Sequence, residues 1–346
     1  MPSSLRILHL VGSVYNDFYC DLSYRYAEGC LENIATVSLV QDFQIAYITP
    51  DGQWRFSRSL SPKDIDAANP MSLSDAIQFI KVQKIDLMIP HMYCIPGVTH
   101  YRALFDLLHI PYIGNSPDVM ALTAHKVKTK AIVAAVGVKV PDGELLRQGD
   151  VPTILPPVIV KPANADNSLG VSLVKNIKDY DVALKNAFKH ADEVLVERFI
   201  EPGREVRCSI IVKDGQLIAL PLEEYRLDSE HQPIRSYDDK FPELDSDGKF
   251  IGYPEDDIGK HWIVDRNDSA IKKVQEMAKK CHLALGCRHY SLFEFRIDPN
   301  GEPWFLEAGL FCSFGDGGGI SLMAKTAGIS LEDLLKIMIK EAMNNA

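Results

Sequence analysis

The chain has 346 residues, of which 46% are apolar and 24% are charged, so it has the composition of an ordinary globular protein and can bury a substantial core. The 37 basic and 47 acidic residues give a net charge of −10 without any long basic run, which argues against nucleic acid as a partner. No apolar run approaches the ~18–20 residues that span a bilayer, and no secretory cleavage site follows the first residues. We therefore expect a cytoplasmic protein that does not bind membranes.

The N-terminal third of the chain alternates strand and helix patterns. Alternation of this kind favours a parallel sheet with helices on its faces. We therefore predict an N-terminal α/β domain over residues 1–118. Its predicted strands cover residues 5–11, 43–48, 86–90 and 110–114, and its predicted helices cover about 19–33, 72–83 and 99–108.

The middle of the chain has the pattern of a small α+β unit. We assign residues 119–200 to this central subdomain. Helices are predicted at about 116–125, 126–136 and 177–190, and strands at 157–161, 171–174 and 194–199.

The remainder, residues 201–346, is predicted to form a C-terminal subdomain. It contains a polar stretch, a Gly-rich loop and a helical tail. The fold class predicted for the whole chain is therefore α/β, with α+β subdomains. The predicted elements of this last part are strands at 205–212, 216–221, 289–298 and 303–308 and a helix at 268–284.

Two glutamates on the predicted hairpin of residues 291–307 suggest a metal site. If Asp298 lies opposite Pro303, Glu294 lies opposite Glu307, and both carboxylates can face one cleft. Such carboxylates repel each other unless a cation lies between them, and Mg²⁺ prefers hard carboxylate oxygens. On this pattern alone, a solvated polar face with scattered acids remains the alternative.

Two lysines precede this hairpin in the chain. Lys161 ends a buried strand and is followed by a small-residue loop that reaches Gly170, while Lys126 lies on an earlier helix. A lysine at the end of an apolar strand needs an anionic partner, and such a loop offers backbone N–H groups to phosphate oxygens. Surface lysines and a plain hairpin turn are the alternative.

A third element is the strand that ends at Glu197-Arg198 and turns before Glu205. The backbone at such a strand end could face an adenine edge, and the later carboxylate could hold ribose hydroxyls. Surface Glu–Arg salt bridges at strand ends are common, so this signal is weak by itself.

Taken together and in this order, the three elements resemble the ATP-grasp fold, and more narrowly the D-alanine–D-alanine ligases, over residues 120–345. The resemblance implies Mg²⁺, or Mn²⁺, at Glu294 and Glu307. It also implies catalytic roles for Lys240, in a mobile loop at 237–241, and for Arg296. The residues implied to bind ATP through its phosphates, adenine and ribose are Lys126, Lys161, Asn167, Ser168, Gly170, Glu197, Arg198, Phe199, Ile200, Glu205 and Leu306.

The chain also departs from the ligase pattern. The segment that follows His91 lacks the family's acidic pair, Leu292 stands in place of an arginine, and Gly309 stands in place of an asparagine. The loop at 310–319 lacks the usual Ser-Pro-Gly-Met sequence. Arg296 lies two residues beyond Glu294 on the same strand face and is a candidate replacement for the arginine, with a structural salt bridge as the alternative.

These departures point to a narrower resemblance, which includes residues 7–13, 43–50, 94–97 and 287–293. The whole chain resembles the D-Ala–D-Ala ligase-like enzymes of mycosporine-like amino acid biosynthesis. That resemblance implies mycosporine-glycine as acceptor, an amino acid such as serine or threonine as amine donor, an ultraviolet-absorbing imine as product, and a homodimer.

Two other hypotheses remain: a peptide-forming ligase that acts on other amino acids, and a nucleotide-binding module without catalysis. Position alone suggests a set of residues for the substrate pocket. They are His91, Gly97, Arg102, Ser313 and Phe314.

Overall fold

The computed structural model describes most of the chain, in which three β-sheets carry helices on their faces. Within the described ranges, no helix is both long and apolar enough to cross a bilayer. The described residues are 5–34, 37–38, 40–165, 168–201, 203–228, 230–231, 233–235 and 261–344.

The first sheet has four strands: β1 (Leu5–Gly12), β2 (Val40–Ile48), β3 (Trp54–Ser57) and β4 (Leu87–Pro90). Their order is β3-β2-β1-β4, in which β1 pairs in parallel with β2 and β4, and β3 pairs antiparallel with β2. The predicted parallel sheet is confirmed for β1, β2 and β4. The sequence missed β3, and the strand predicted at 110–114 was wrong, since that segment contributes only a bridge between Tyr112 and Met88.

The helices of this first part cover its sheet. α3 begins after Ser72, whose side chain accepts a hydrogen bond from the Asp75 backbone N–H, and it ends at Lys84 in a left-handed conformation. A π-helical turn (Gly97–Tyr101) leads directly into α4. The four helices are α1 (Asp17–Ile34), α2 (Pro62–Ala67), α3 (Leu73–Gln83) and α4 (Arg102–Leu107).

The second sheet is a small antiparallel one with the order β5-β8-β6-β7. Two helices precede it in the chain, and one lies on its face. The elements of this part are α5 (Pro117–Thr123), α6 (Lys126–Ala135), β5 (Gly143–Arg147), β6 (Val158–Pro162), β7 (Ser172–Val174), α7 (Tyr180–Ala187) and β8 (Glu193–Arg198).

The third sheet is antiparallel, with the order β12-β11-β9-β13-β14 and with β10 on β9. The predicted hairpin near 289–308 is present as β13 and β14. The elements of this part are β9 (Arg204–Lys213), β10 (Gln216–Ala219), β11 (Glu223–Tyr225), β12 (His261–Ile263), α8 (Ala270–Ala284), β13 (Tyr290–Ile297), β14 (Pro303–Ala308), α9 (Gly319–Thr326) and α10 (Leu331–Asn344).

The hydrophobic cores cross the predicted domain boundaries. Val133 of α6 packs with Val274 of α8 and Phe305 of β14 in the core of the third sheet. Met338 of α10 packs with Leu87 of β4 in a core that also includes side chains of α1. The helices between the sheets therefore tie the three parts together, and the boundaries at 118 and 200 stay predictions.

Candidate active site

A cleft lies between the second and third sheets. One wall carries lysines of the second sheet and of the neighbouring helix α6. The other wall carries glutamates of the third sheet. The predicted site residues that line the cleft are Lys126, Lys161, Ser168, Glu197, Glu205, Glu294, Arg296, Leu306 and Glu307.

A buried ion cluster forms the cationic wall. Lys161 is the next-to-last residue of the apolar strand β6, and its Nζ lies 2.7 Å from Glu197 Oε1, while Lys130 Nζ lies 2.9 Å from Glu197 Oε2. All three side chains are almost fully buried. Burial by itself raises the pKa of Glu197, but the charges of Lys130 and Lys161 outweigh it and hold the pKa below its ordinary value. Glu197 is therefore an anion that fixes two cations at the cleft.

Lys130 is a residue that the sequence analysis missed. Burial lowers its pKa to about 8, against the attraction of Glu197. Its Nζ also donates a hydrogen bond to the carbonyl oxygen of Phe305, at 3.2 Å. Because Lys130 lies four residues after Lys126 on one helix, the i, i+4 spacing was a signal that could have found it.

Lys126 connects the two walls of the cleft. Its backbone N–H donates to the carbonyl oxygen of Ala163, just beyond β6, which anchors the start of α6 against that strand. Its Nζ donates to the carbonyl oxygen of Ala165 and lies 3.7 Å from Glu307 Oε2. A cation at the start of α6 thus reaches a carboxylate of the third sheet.

Glu294 and Glu307 lie opposite each other in the pairing of β13 with β14, as predicted, but not through the predicted register. Ile297, not Asp298, lies opposite Pro303, and a β-bulge at Leu306 restores the pairing of the two glutamates. Both carboxylates line the cleft. Paired carboxylate oxygens beside a lysine form a donor set that fits Mg²⁺, which binds hard oxygens and bridges to phosphates.

Arg296 lies on the same face but is already engaged. Its Nη2 lies 2.6 Å from Glu205 Oε2, its Nη1 donates to the carbonyl oxygen of Ile200 at 3.2 Å, and its guanidinium lies 5.5 Å from the ring centre of Phe199. Arg296 therefore ties the turn after β8 to the third sheet. Its predicted catalytic role, like the other predicted roles, stays a prediction.

The remaining predicted ATP contacts are less direct. Arg198 is exposed, and Arg198, Phe199 and Ile200 are not among the described residues that line the cleft. Gly170 has φ +71°, and a Cβ there would lie 3.0 Å from Pro162 Cγ, so a glycine lets the loop close on the end of β6. Asn167 and Lys240 lie outside the described residues.

Three of the five residues predicted from position for the substrate pocket have no exposed side chain, and the pocket itself stays a prediction. His91, Arg102 and Phe314 are buried in the protein interior, where His91 contacts His9, Arg102 donates to the carbonyl oxygen of Asn115, and Phe314 packs on Tyr290. A fully buried side chain has no face to offer a substrate.

The other two residues of that set also lie away from the cleft lining. Gly97 packs so closely that a Cβ would lie 2.3 Å from Met92 Cβ. Ser313 is partly exposed in the Gly-rich loop.

Two departures from the ligase pattern are structural. Leu292 is 7% exposed and packs in the core that contains Leu87. Gly309 donates its backbone N–H to the carbonyl oxygen of Leu292, at 2.8 Å, and so extends the hairpin. Neither position offers a polar side chain to the cleft.

Comparison with known proteins gives the family. A family model described as the D-ala D-ala ligase C-terminus matches residues 148–340. A D-alanine–D-alanine ligase of Trichlorobacter lovleyi is 30% identical over 277 residues, which cover 74% of this chain and 78% of the relative. The chain belongs to the D-alanine–D-alanine ligase family.

Solved structures of this ligase family share the fold. The VanG D-Ala:D-Ser ligase of Enterococcus faecalis matches with a TM-score of 0.78 at 24% identity, covering 98% of this chain and 99% of that one. A D-alanine–D-alanine ligase of Bacillus anthracis, solved in complex with ATP, matches with a TM-score of 0.71 at 19% identity, covering 99% and 98% of the two chains. The predicted ATP-grasp fold is therefore confirmed.

As a member of this ligase family, the chain is an ADP-forming carbon–nitrogen ligase that uses ATP and Mg²⁺ and acts on small molecules. The predictions of enzyme class and cofactors are confirmed. Mg²⁺ in such a site neutralises the charge on transferring phosphoryl groups.

Proposed function

We propose that the protein joins the amine of an amino acid to an acceptor that ATP has first phosphorylated. The observation that supports this most strongly is the meeting of Lys126 and Lys161 with Glu294 and Glu307 across one cleft. Cations on one wall suit the phosphates, and carboxylates on the other suit the metal ion that neutralises them.

The residue roles within this proposal follow from the family resemblance and from the cleft. Lys126 and Lys161 contact the α and β phosphates, Glu294 and Glu307 hold Mg²⁺, and Lys240 approaches the γ-phosphate. The flap over the phosphates contains Asn167, Ser168 and Gly170, and the adenine and ribose contacts are Glu197, Arg198, Phe199, Ile200, Leu306 and Glu205.

The proposed reaction has two steps. An oxygen of the acceptor attacks the γ-phosphorus of ATP, a new P–O bond forms, and ADP leaves. The amine nitrogen then attacks the carbon that bears this oxygen, the C–O bond breaks, phosphate leaves, and the nitrogen loses a proton. A closed cleft excludes the water that would otherwise hydrolyse the phosphorylated intermediate.

An amino acid is the acceptor that the comparisons favour. The Trichlorobacter lovleyi relative is named as a ligase of two D-alanines, and VanG as a ligase of D-alanine and D-serine. In that case the phosphorylated group is a carboxylate and the product is a dipeptide.

Mycosporine-glycine is the second candidate, and an aromatic cluster supports it. Phe311 follows Glu307 by four residues, and its ring centre lies 5.0 Å from that of Tyr26 of α1 and 5.2 Å from that of Tyr93. All three side chains are partly exposed. Flat aromatic faces suit a conjugated ring better than the methyl group of alanine, and the product would be an imine that absorbs ultraviolet light.

The test is to incubate the enzyme, ATP and Mg²⁺ with single amino acids, in pairs or together with mycosporine-glycine, and to measure ADP release and ultraviolet absorbance. ADP release with amino acids alone identifies the peptide-forming ligase. ADP release only with mycosporine-glycine, together with an absorbance shift, identifies the imine-forming enzyme. The absence of ADP with every pair would contradict both candidates.

The aromatic cluster allows a sharper version of the same test. In the Phe311→Ala variant we expect the KM for mycosporine-glycine to rise by about fivefold, because an aromatic contact contributes about 1 kcal/mol. The KM for ATP should not change. Phe188→Ala serves as the matched aromatic control, because Phe188 follows α7 and packs on the core of the second sheet. An equal rise in the KM for mycosporine-glycine in both variants would count against the cluster.

The remaining expectations stay part of the proposal. We propose that the protein works in the cytoplasm as a homodimer, with neither nucleic acid nor membrane as a partner, and that its domains are residues 1–118, 119–200 and 201–346. Light scattering of the purified protein would test the homodimer.

A further inference from the structure

A row of charged side chains crosses the third sheet next to the proposed metal site. Glu223 of β11, Arg207 of β9, Glu294 of β13 and Glu307 of β14 lie directly opposite one another in the strand register. Opposed residues in neighbouring strands project from the same face. Because Glu294 and Glu307 line the cleft, Arg207 lies on the cleft face, beside Glu294 and away from Glu307.

Arg207 is held in one orientation by a buried carboxylate. Its Nη2 lies 2.9 Å and its Nε 3.1 Å from Glu223 Oε2, and His261 Nδ1 lies 2.8 Å from Glu223 Oε1. Burial by itself raises the pKa of Glu223, but Arg207, His261 and Arg235 outweigh it and hold the pKa low. Glu223 contacts one edge of a guanidinium that has five N–H donors, so a second carboxylate can approach the rest.

Arg235 provides a second cation at the same place. It lines the cleft, and its guanidinium carbon lies 3.5 Å from the ring centre of Tyr225. The guanidinium carbon of Arg207 lies 4.6 Å from the same ring. One aromatic side chain therefore holds both guanidinium groups near each other.

The start of α9 adjoins Arg207 and Glu223. A Cβ at Gly319 would lie 3.2 Å from Glu223 Oε2 and 3.3 Å from Arg207 Nη2. The first N–H groups of a helix lack partners within the helix, and its dipole favours negative charge there. A glycine at this position lets that end approach Arg207.

We propose that Arg207 and Arg235 bind the carboxylate of the amino-acid substrate, and that Glu223 positions Arg207 for this contact. The inference rests on the proposed function, in which the amine donor is an amino acid. A substrate carboxylate is repelled by the glutamates of the metal site. Arg207, which lies opposite Glu294 in the strand register, and Arg235 offset this repulsion, while the amine of the substrate remains free to attack the acceptor.

The experiment measures ADP release by the Arg207→Ala variant while the amino acid and ATP are varied separately. We expect the KM for the amino acid to rise by about 30-fold, as for the loss of a charge-assisted hydrogen-bonded pair, and the KM for ATP to stay unchanged. The amino acid is then replaced by its carboxamide. The wild type should prefer the acid, and the variant should lose this preference, which a merely structural role of Arg207 would not produce.

Arg204→Ala is the matched control, since Arg204 lies on the opposite face of the same strand and donates to Glu224 at 2.8 Å. It should keep the preference for the acid. Arg207→Ala leaves the buried carboxylate of Glu223 without one of its cations, which could prevent folding. The double variant Arg207→Ala/Glu223→Gln removes this unpaired charge as well. It should lose the preference as well, and Glu223→Gln alone should reduce it.

The outcomes separate this inference from the proposed function. If the wild type releases ADP and Arg207→Ala keeps its preference for the acid, the carboxylate site is wrong and the proposed function stands. If no amino acid gives ADP, calorimetric titration of the amino acid into the protein decides. If the wild type binds the amino acid and Arg207→Ala does not, the carboxylate site is supported while the proposed function fails. If the two proteins have equal affinity for the amino acid, the carboxylate site is overturned.

Discussion

The two ends of the cleft are built in different ways. At the nucleotide end, Lys161, Glu197, Glu294 and Glu307 lie on strands, and strand register determines which of them face one another. At the proposed carboxylate site, Arg207 also lies on a strand, but Arg235 comes from a segment between elements. Strands fix side chains rigidly, whereas connecting segments tolerate change. In the proposed function, the phosphate site therefore depends on the strand-borne end, and substrate choice can vary in the connecting segments without disturbing it.

The largest effect is expected at Glu307, at the nucleotide end. Glu307→Gln removes one charge from the proposed metal site, so we expect ADP release to fall by about 100-fold or more, as for loss of a group that stabilises transition-state charge. The fold should remain intact, because Gln keeps the shape of the side chain. Steady-state ADP production in saturating Mg²⁺ is the measurement.

Glu302→Gln provides the control for this change. Glu302 lies at the turn of the same hairpin, where it pairs with Lys139 and Lys273 outside the cleft. Its variant should turn over normally. Normal ADP production by Glu307→Gln would remove the reason to place the metal ion there.

The second prediction tests the rigidity of the nucleotide end. Glu197→Gln leaves Lys130 and Lys161 buried without their shared anion, so we expect the free energy of unfolding to fall by about 3 kcal/mol. Because the folded-state pKa of Glu197 is held low, this stabilisation is present above the ordinary pKa of 4.5 and is lost as the pH falls through the lower folded value. The difference in the free energy of unfolding between Glu197→Gln and the wild type, measured by urea denaturation, should therefore shrink below pH 4.5.

Glu193→Gln is the matched change on the same strand. Glu193 begins β8 and pairs with Arg147, which is largely exposed, at 2.9 Å. Its variant should unfold like the wild type at neutral pH. If Glu193→Gln lowered the free energy of unfolding as much as Glu197→Gln does, the buried cluster would have no special part in stability.

The smallest of the three effects is on nucleotide affinity. Lys161→Met removes a cation at the end of β6, so we expect the Kd for ATP to rise by about 30-fold, as for loss of a charge-assisted contact. Lys126 and Lys130 remain, which is why binding is weakened and not abolished. Calorimetric titration measures the Kd for ATP, and Lys175→Met, at an exposed lysine, is the control. Equal affinity of both variants for ATP would show that the phosphates bind elsewhere.

Strand-borne features could be predicted from the sequence because side-chain direction alternates along a strand. The facing of Glu294 and Glu307 is one example, although the bulge at Leu306 was not visible in the sequence. Arg207 carried a signal that was overlooked, since it lies two residues after Glu205 and therefore on the same face of β9. Short edge strands such as β3 and β12 have too few residues to show periodicity.

Residues in loops and at the start of helices could not be placed in this way. His91 and Arg102 were proposed as substrate contacts from position alone, yet packing puts both in the interior, where Arg102 bonds to the carbonyl oxygen of Asn115. Such burial depends on contacts between segments distant in the chain. Periodicity, which reports only local structure, carries no information about them.

The central claim is that Lys126 of α6, Lys161 of the second sheet and two glutamates of the third sheet hold one triphosphate and its metal ion between them. A crystal structure with Mn²⁺ and a non-hydrolysable ATP analogue tests this most directly, because the anomalous signal locates the metal. We expect Mn²⁺ bound to Glu294 and Glu307 and the phosphates beside Lys126 and Lys161. Manganese bound elsewhere, or a nucleotide outside this cleft, would contradict the claim.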